Sequence, residues 1–202
     1  MIRTFLAVEL SPALQAELAR VQQELKRSLE QEMQGGTRIS WALPVSIHLT
    51  LKFLGDMDEQ MIDRLRAALE EAIGSQIAVV VAIERIGVFP NPQSPRLLWV
   101  GPSEHWERGE EAKRVAEIHV VIEQACEGLN FLREPRPFSP HLTLARIKMG
   151  ERHVGVALAK SGVLDRPLSM GSLAIESVVL MQSTLTPTGS VYTKLWDVRL
   201  RG

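Results

Sequence analysis

The chain has 202 residues and one cysteine, Cys126. A lone thiol excludes an intramolecular disulfide and a cysteine zinc cluster, and it fits a reducing cytoplasm. No apolar run reaches the roughly 18–20 residues that a membrane span needs. The opening stretch Met1–Glu9 is too short and too charged at its flanks for a secretory signal. An excess of one charge is missing as well: 23 Lys and Arg stand against 24 Asp and Glu, a net of −1. That balance excludes wholesale electrostatic capture of nucleic acid, while a local basic groove stays open. No glycine-rich phosphate loop of the Walker or dinucleotide type occurs. The length fits one domain, or two small lobes sharing a site.

What is present is a repeated pattern. His48-Leu49-Thr50-Leu51-Lys52-Phe53-Leu54 recurs as His141-Leu142-Thr143-Leu144-Ala145-Arg146-Ile147. In a strand successive side chains alternate faces, so His and Thr look one way and the leucines the other, into a core. Two such strands brought together place two imidazoles and two hydroxyls around one small site.

The elements around the repeats alternate. Ile2–Glu9 reads as a strand, and Ser11-Pro12 as a helix start. Leu14, Leu18, Val21, Leu25, Leu29 and Met33 follow at helical spacing until Gly35-Gly36. Residues 39–42 form a short extended piece before Pro44. A second helix covers Glu59–Ile73, and Ile77–Phe89 reads as one long strand broken by Pro90-Asn91-Pro92. Arg96–Val100 is a strand, and 106–129 a long helix. A stiff loop with Pro135, Pro137 and Pro140 delivers the second histidine strand. Glu151–Lys160 is a weak helix. Ser172–Gln182 and Val191–Leu200 are the last strands, joined by the turn Thr186-Pro187-Thr188-Gly189. The order β-α-β-α-β thus occurs twice, with a histidine strand third each time, which suggests a duplication and a pseudo-two-fold. The fold class is α+β, with helices outside largely antiparallel sheets.

Imidazole titrates near pH 6.5, so one can be neutral while another is protonated. That suits one base and one acid in a single displacement. Phosphoryl transfer needs entering and leaving oxygens on opposite sides of phosphorus, and two histidines related by a two-fold flank it from those sides. The hydroxyls can hold its oxygens. A lone His-x-Thr is common by chance, but two copies flanked by leucines are not. A metal reading fits less well, because Thr is a poor zinc ligand and no carboxylate cluster stands beside the motifs. No metal and no cofactor are expected.

The sequence resembles the two-histidine phosphoesterases, specifically the RNA 2′,3′-cyclic phosphodiesterases formerly named 2′-5′ RNA ligases. The resemblance runs through Arg3–Val8, Ser46–Gly55, Gly87–Pro90, Pro95–Gly101 and Phe138–Arg146. It implies one bilobal domain over 1–202, two small sheets with a cleft between lobes, and both chain ends in one lobe. It implies hydrolysis of a terminal 2′,3′-cyclic phosphate to a 2′-phosphomonoester, and reversible 2′-5′ ligation. By that resemblance His48 donates a proton to the departing 3′ oxygen, His141 activates water, and Thr50 and Thr143 hold phosphoryl oxygens. The residue pattern supplies the pair but does not say which histidine is which. An arginine resembling Arg146 contacts substrate in the family. Strict alternation puts Arg146 on the face opposite His141, so it reaches the ligand only if the strand bulges or ends at Ala145. One departure stands before the first motif: Val45-Ser46 replaces the family's frequent acidic or amide pair, which should alter the rim of the site.

Around the pair, Lys52 shares parity with His48 and Thr50 and reads either as a cleft residue or as a solvated lysine. Trp41 and Phe53 are the best candidates for stacking on a base. Arg133 and Arg136 read as an RNA path or as solvated loop residues. His105, His119 and His153 lack a partner motif. Tyr192 resembles a tyrosine near the family's C-terminal strand. The expected partners are RNA ends or nucleotides bearing a 2′,3′-cyclic phosphate, with no membrane and no obligatory protein partner, in a cytoplasmic monomer. Competing readings are a cyclic phosphodiesterase for small nucleotides or 2′-5′ oligoadenylate, and a binding module that holds RNA ends without turnover.

Overall fold

The computed structural model describes residues 1–32, 36–166, 168–187 and 189–202. Met33, Gly35 and Thr188, which the sequence reading placed at a helix end and a turn, lie outside them.

Among the described residues, ten strands and four α-helices follow one another in chain order. They are β1 (Ile2–Val8), α1 (Pro12–Glu32), β2 (Arg38–Trp41), β3 (Leu49–Met57), α2 (Ile62–Ile73), β4 (Val79–Ala82), β5 (Arg85–Phe89) and β6 (Leu97–Gly101). Then come α3 (Glu110–Glu127), β7 (Leu142–Met149), α4 (Glu151–Ser161), β8 (Ser172–Ile175), β9 (Ser177–Thr186) and β10 (Gly189–Arg199). Short 3-10 turns precede β3, α2 and α3.

Two four-stranded antiparallel arrays make the main sheet. One runs β10-β9-β1-β3 and holds both chain ends; the other contains β5, β6, β7 and β2. They meet where β3 and β7 pair at Leu49 and Leu142, the corresponding residues of the two repeats. A pairing of equivalent residues is what a two-fold axis demands. The remaining elements obey the same axis: β4 pairs with β8, α1 packs on α4, and α2 packs on α3. The repeating unit is therefore β1-α1-β3-α2-β4 against β6-α3-β7-α4-β8, with β2, β5, β9 and β10 added.

The helices form where the sequence alternates at helical spacing. In α1 the hydroxyl of Ser11 accepts from the Leu14 N–H at 3.3 Å, and Leu14, Leu18, Val21, Leu25 and Leu29 are buried. In α3 the buried stripe is Val115, Ile118, Ile122 and Cys126. These stripes and the leucines of both repeats share one core, which drives the assembly through removal of apolar surface from water.

Two expected strands are each split. The stretch 77–89 is β4 and β5, separated at Ile83-Glu84, where the backbone changes partners: the Ile83 N–H donates to Gly171 and the Glu84 N–H to Gly101. The stretch 172–182 breaks at Glu176, so β8 pairs with β4 and β9 with β1. An unbroken β-branched run does not reveal such an exchange, because composition is alike on both sides of it.

Candidate active site

Each histidine stands one residue before its strand. The antiparallel pair Leu49–Leu142 sets His48 on the same side as Thr143, and Thr50 on the same side as His141. Both imidazoles are held alike. His48 Nδ1 lies 2.9 Å from the Ser46 carbonyl oxygen, and His141 Nδ1 lies 2.8 Å from that of Ser139. A carbonyl only accepts, so Nδ1 carries the hydrogen in each ring. Nε2 is thereby left as a lone pair in the neutral ring and as a donor in the cation, the atom free to move a proton.

Aromatic rings back both imidazoles. His48 stacks on Phe5 at 4.7 Å between centroids and meets the edge of Tyr192 at 5.1 Å. His141 meets Phe89 edge-on at 5.2 Å and Trp99 at 6.2 Å. Gly87 faces Trp99 across β5 and β6, and any side chain at 87 would collide with the indole. This apolar setting holds both histidines below their ordinary pKa of 6.5, chiefly because burial disfavours the charged ring. The Ser46 and Ser139 carbonyls oppose that shift, and the Arg146 charge adds to it.

The repeats share a bulge that decides which side chains reach the site. On β3, Thr50 pairs with Ala7 while Lys52 pairs with Leu6, so Leu51 is an extra residue. On β7, Thr143 pairs with Trp99 while Ala145 pairs with Leu98, so Leu144 is the extra residue. Beyond a bulge the alternation of faces resets. The burial sequence of the first five strand residues is accordingly identical in β3 and β7: buried, half-buried, buried, buried, exposed. Arg146 and Phe53 therefore turn outward on the histidine side, and Ala145 and Lys52 turn inward.

A cavity of about 470 Å³ records the result: its lining includes His48, Thr50, Thr143 and Arg146, together with Phe5, Phe53 and Tyr192. His141 is not part of that lining, although its neighbours Thr143 and Arg146 are. A second cavity of about 650 Å³ shares His48 and Tyr192 and extends past Leu43 and Val45. Val45, the departure noted above, is an exposed residue of that rim.

A family model described as LigT like Phosphoesterase matches residues 8–99 and 108–192, spanning both histidine strands. The chain belongs to the LigT-like phosphoesterase family. Among its relatives is a protein of Methanothermobacter thermautotrophicus named RNA 2′,3′-cyclic phosphodiesterase, 31% identical over 199 residues, which are 98% of this chain and 99% of that one. A protein of Aquifex aeolicus with the same name is 30% identical over 183 residues, 90% of each chain. Among solved structures, TT0787 of Thermus thermophilus is 26% identical with a TM-score of 0.71, covering 100% of this chain and 99% of that one. Escherichia coli LigT complexed with 3′-AMP, 19% identical, has the same fold at a TM-score of 0.72, covering 100% and 99%.

Several sequence expectations change in this LigT-like chain. Lys52 is not a cleft residue; it is buried beneath β3 in an ion pair with Glu123, because the Leu51 bulge inverts its face. Trp41 lines neither cavity; it packs on the core with Lys26 Nζ 5.1 Å from its ring centre. Phe53 does line the site, and the bulge that Arg146 required is present. Arg136 is paired with Glu134 at 2.8 Å on the surface. Phe5, Tyr192, Phe89 and Trp99 had no assigned place beside the histidines, since neighbouring strands supply them. One available signal was the serine two residues before each histidine, although the bond comes from its backbone. Among the described residues, no group of three or more His, Cys, Asp or Glu is placed to hold a metal ion. No described helix is long and apolar enough to cross a membrane.

Proposed function

We propose that this LigT-like phosphoesterase opens a terminal RNA 2′,3′-cyclic phosphate with water and leaves a 2′-phosphomonoester. The observation that carries the reading is the Leu49–Leu142 pairing, which sets both His-x-Thr repeats on one face of the sheet. The names of the relatives supply the substrate.

His141 Nε2 takes a proton from water as the water oxygen bonds to phosphorus. His48 Nε2 gives its proton to the 3′ oxygen as the P–O3′ bond breaks. The phosphate gains one oxygen from water, and the charge moves from His48 to His141, so a proton exchanged with solvent resets the pair. Burial keeps both rings neutral without substrate; the bound phosphodiester anion favours the imidazolium at His48. Thr50, Thr143 and Arg146 hold the non-bridging oxygens, where hydroxyl and guanidinium donors meet developing charge. With an RNA 5′-hydroxyl in place of water, the same base and acid form a 2′-5′ linkage as the P–O3′ bond breaks; in the reverse of that ligation the two histidines exchange roles.

The enzyme acts as one bilobal domain over residues 1–202, a cytoplasmic monomer that needs no cofactor and no protein partner. Incubation of an oligoribonucleotide 2′,3′-cyclic phosphate with the protein in EDTA tests the reading. The expected product is the 2′-phosphomonoester alone. Unchanged substrate, or an absolute need for a divalent metal, would sink it.

A further inference from the structure

Lys52 and Glu123 are both buried, and the reaction above uses neither. Lys52 Nζ donates to Glu123 Oε1 at 2.9 Å, to Oε2 at 2.8 Å and to the Leu132 carbonyl at 2.8 Å. Glu123 Oε2 also accepts from the Glu134 N–H at 3.3 Å. Burying two charges is costly and does not by itself stabilise a fold. What the pair does is grip backbone: one carbonyl and one N–H of the segment that leads into β7.

The same segment is gripped again nearer the histidine. Phe138 stacks on His119 at 4.3 Å with 13° between the rings, and His119 Nε2 lies 3.8 Å from Oε1 of Glu123, the carboxylate of the clamp itself. Between the two grips, Pro135 and Pro137 leave few backbone states. The next residue after Phe138 is Ser139, whose carbonyl holds His141 Nδ1. The clamp also crosses the two-fold. Lys52 belongs to the strand of His48, whereas Glu123 and the held segment belong to the half that carries His141.

We propose that the Lys52–Glu123 pair is a positioning device for His141: it fixes residues 132–134, and through the proline segment the Ser139 carbonyl that orients the ring. The proposal rests on His141 being the base of the proposed reaction. Lys52 and Glu123 touch no substrate, so they are positioning residues and not catalytic ones.

The test replaces both charges with apolar residues of similar length, Lys52→Met with Glu123→Leu. Removing one partner strands a buried charge, while removing both can be neutral for folding. In the double variant the expected result is a native melting temperature, kcat lowered about tenfold to a hundredfold, and KM nearly unchanged. A displacement near 1 Å has that effect on rate, and the phosphate-holding residues are untouched. A native melting temperature with native kcat overturns the proposal, since the pair is then a folding element only. Should the double variant fail to fold, Lys52→Leu with Glu123→Met, a second neutral pair, releases the same grip, and full kcat there likewise overturns it. His141→Ala is assayed on the same substrate. Full activity of that variant removes the base reading and this proposal together. An inactive His141→Ala beside a fully active double variant removes only the positioning role.

Discussion

The half that carries His48 and the half that carries His141 use one backbone device and fill it differently. Each has a strand whose extra leucine, Leu51 or Leu144, resets the alternation. The Leu144 bulge is bonded by a polar side chain from the other half's first helix. Gln22 of α1 donates to the Leu144 carbonyl at 3.0 Å. The positions that follow the bulge then diverge. The inward one is Lys52 in the first half and Ala145 in the second; the outward one is Phe53 and Arg146. The approaches differ as well: a 3-10 turn at Pro44–Ser46 leads to His48, and the segment held by Lys52 and Glu123 leads to His141. Symmetry thus supplies two equivalent imidazoles with Nε2 free. Asymmetry gives one side an apolar ring and a buried clamp, and the other a cation that lines the cavity.

The comparison can be broken first at its most symmetric point. His48→Ala and His141→Ala should each lower turnover of the cyclic phosphate by about a hundredfold to ten-thousandfold. The double variant should be little worse than either, because in the proposed reaction acid and base act in one displacement. A variant retaining full rate would remove that residue from the site.

The inward position comes next. Lys52→Met leaves Glu123 buried without its partner and should destabilise by about 3–5 kcal/mol, read from denaturant unfolding. Ala145→Lys should also destabilise, because it puts a charge at a position buried in the apolar core. Equal stability of both variants and wild type would dissolve the contrast between the halves.

At the outward position, Arg146→Ala should lower kcat/KM by about tenfold to a hundredfold, the weight of a charge-assisted hydrogen bond. Phe53→Ala should raise KM for an oligonucleotide by about fivefold while sparing kcat, if a base stacks there. Equal losses of kcat at the two positions would mean that Phe53 and Arg146 serve the phosphate alike.

The smallest effect concerns protons. Both histidines should titrate below pH 6.5 in the free protein, followed by NMR of the ring protons. The Arg146 charge lowers both, so Arg146→Ala should move both midpoints upward. A shift confined to one ring would show that the cation serves only one side.

Much of this was legible from single residues. Leu49, Leu51, Leu142 and Leu144 announced buried faces, His48, Thr50, His141 and Thr143 the opposite one, and Leu14 to Leu29 a helical stripe. Lys52 was not legible, because its parity is correct only until Leu51 is inserted. Nor was Glu123, an acidic residue in a helix pattern that gives no sign of burial. The break at Ile83-Glu84 was hidden for a related reason: both flanks are apolar, and only the exchange of partners separates them.

Local periodicity therefore determined the elements, the repeat and the chemical character of the two histidine strands, since alternation at period two is a property of the chain itself. The tertiary structure alone decided which side chains follow the histidines into the site. A bulge is defined by two residues facing one on a neighbouring strand, here β1 or β6, and that register is set by packing between segments far apart in sequence.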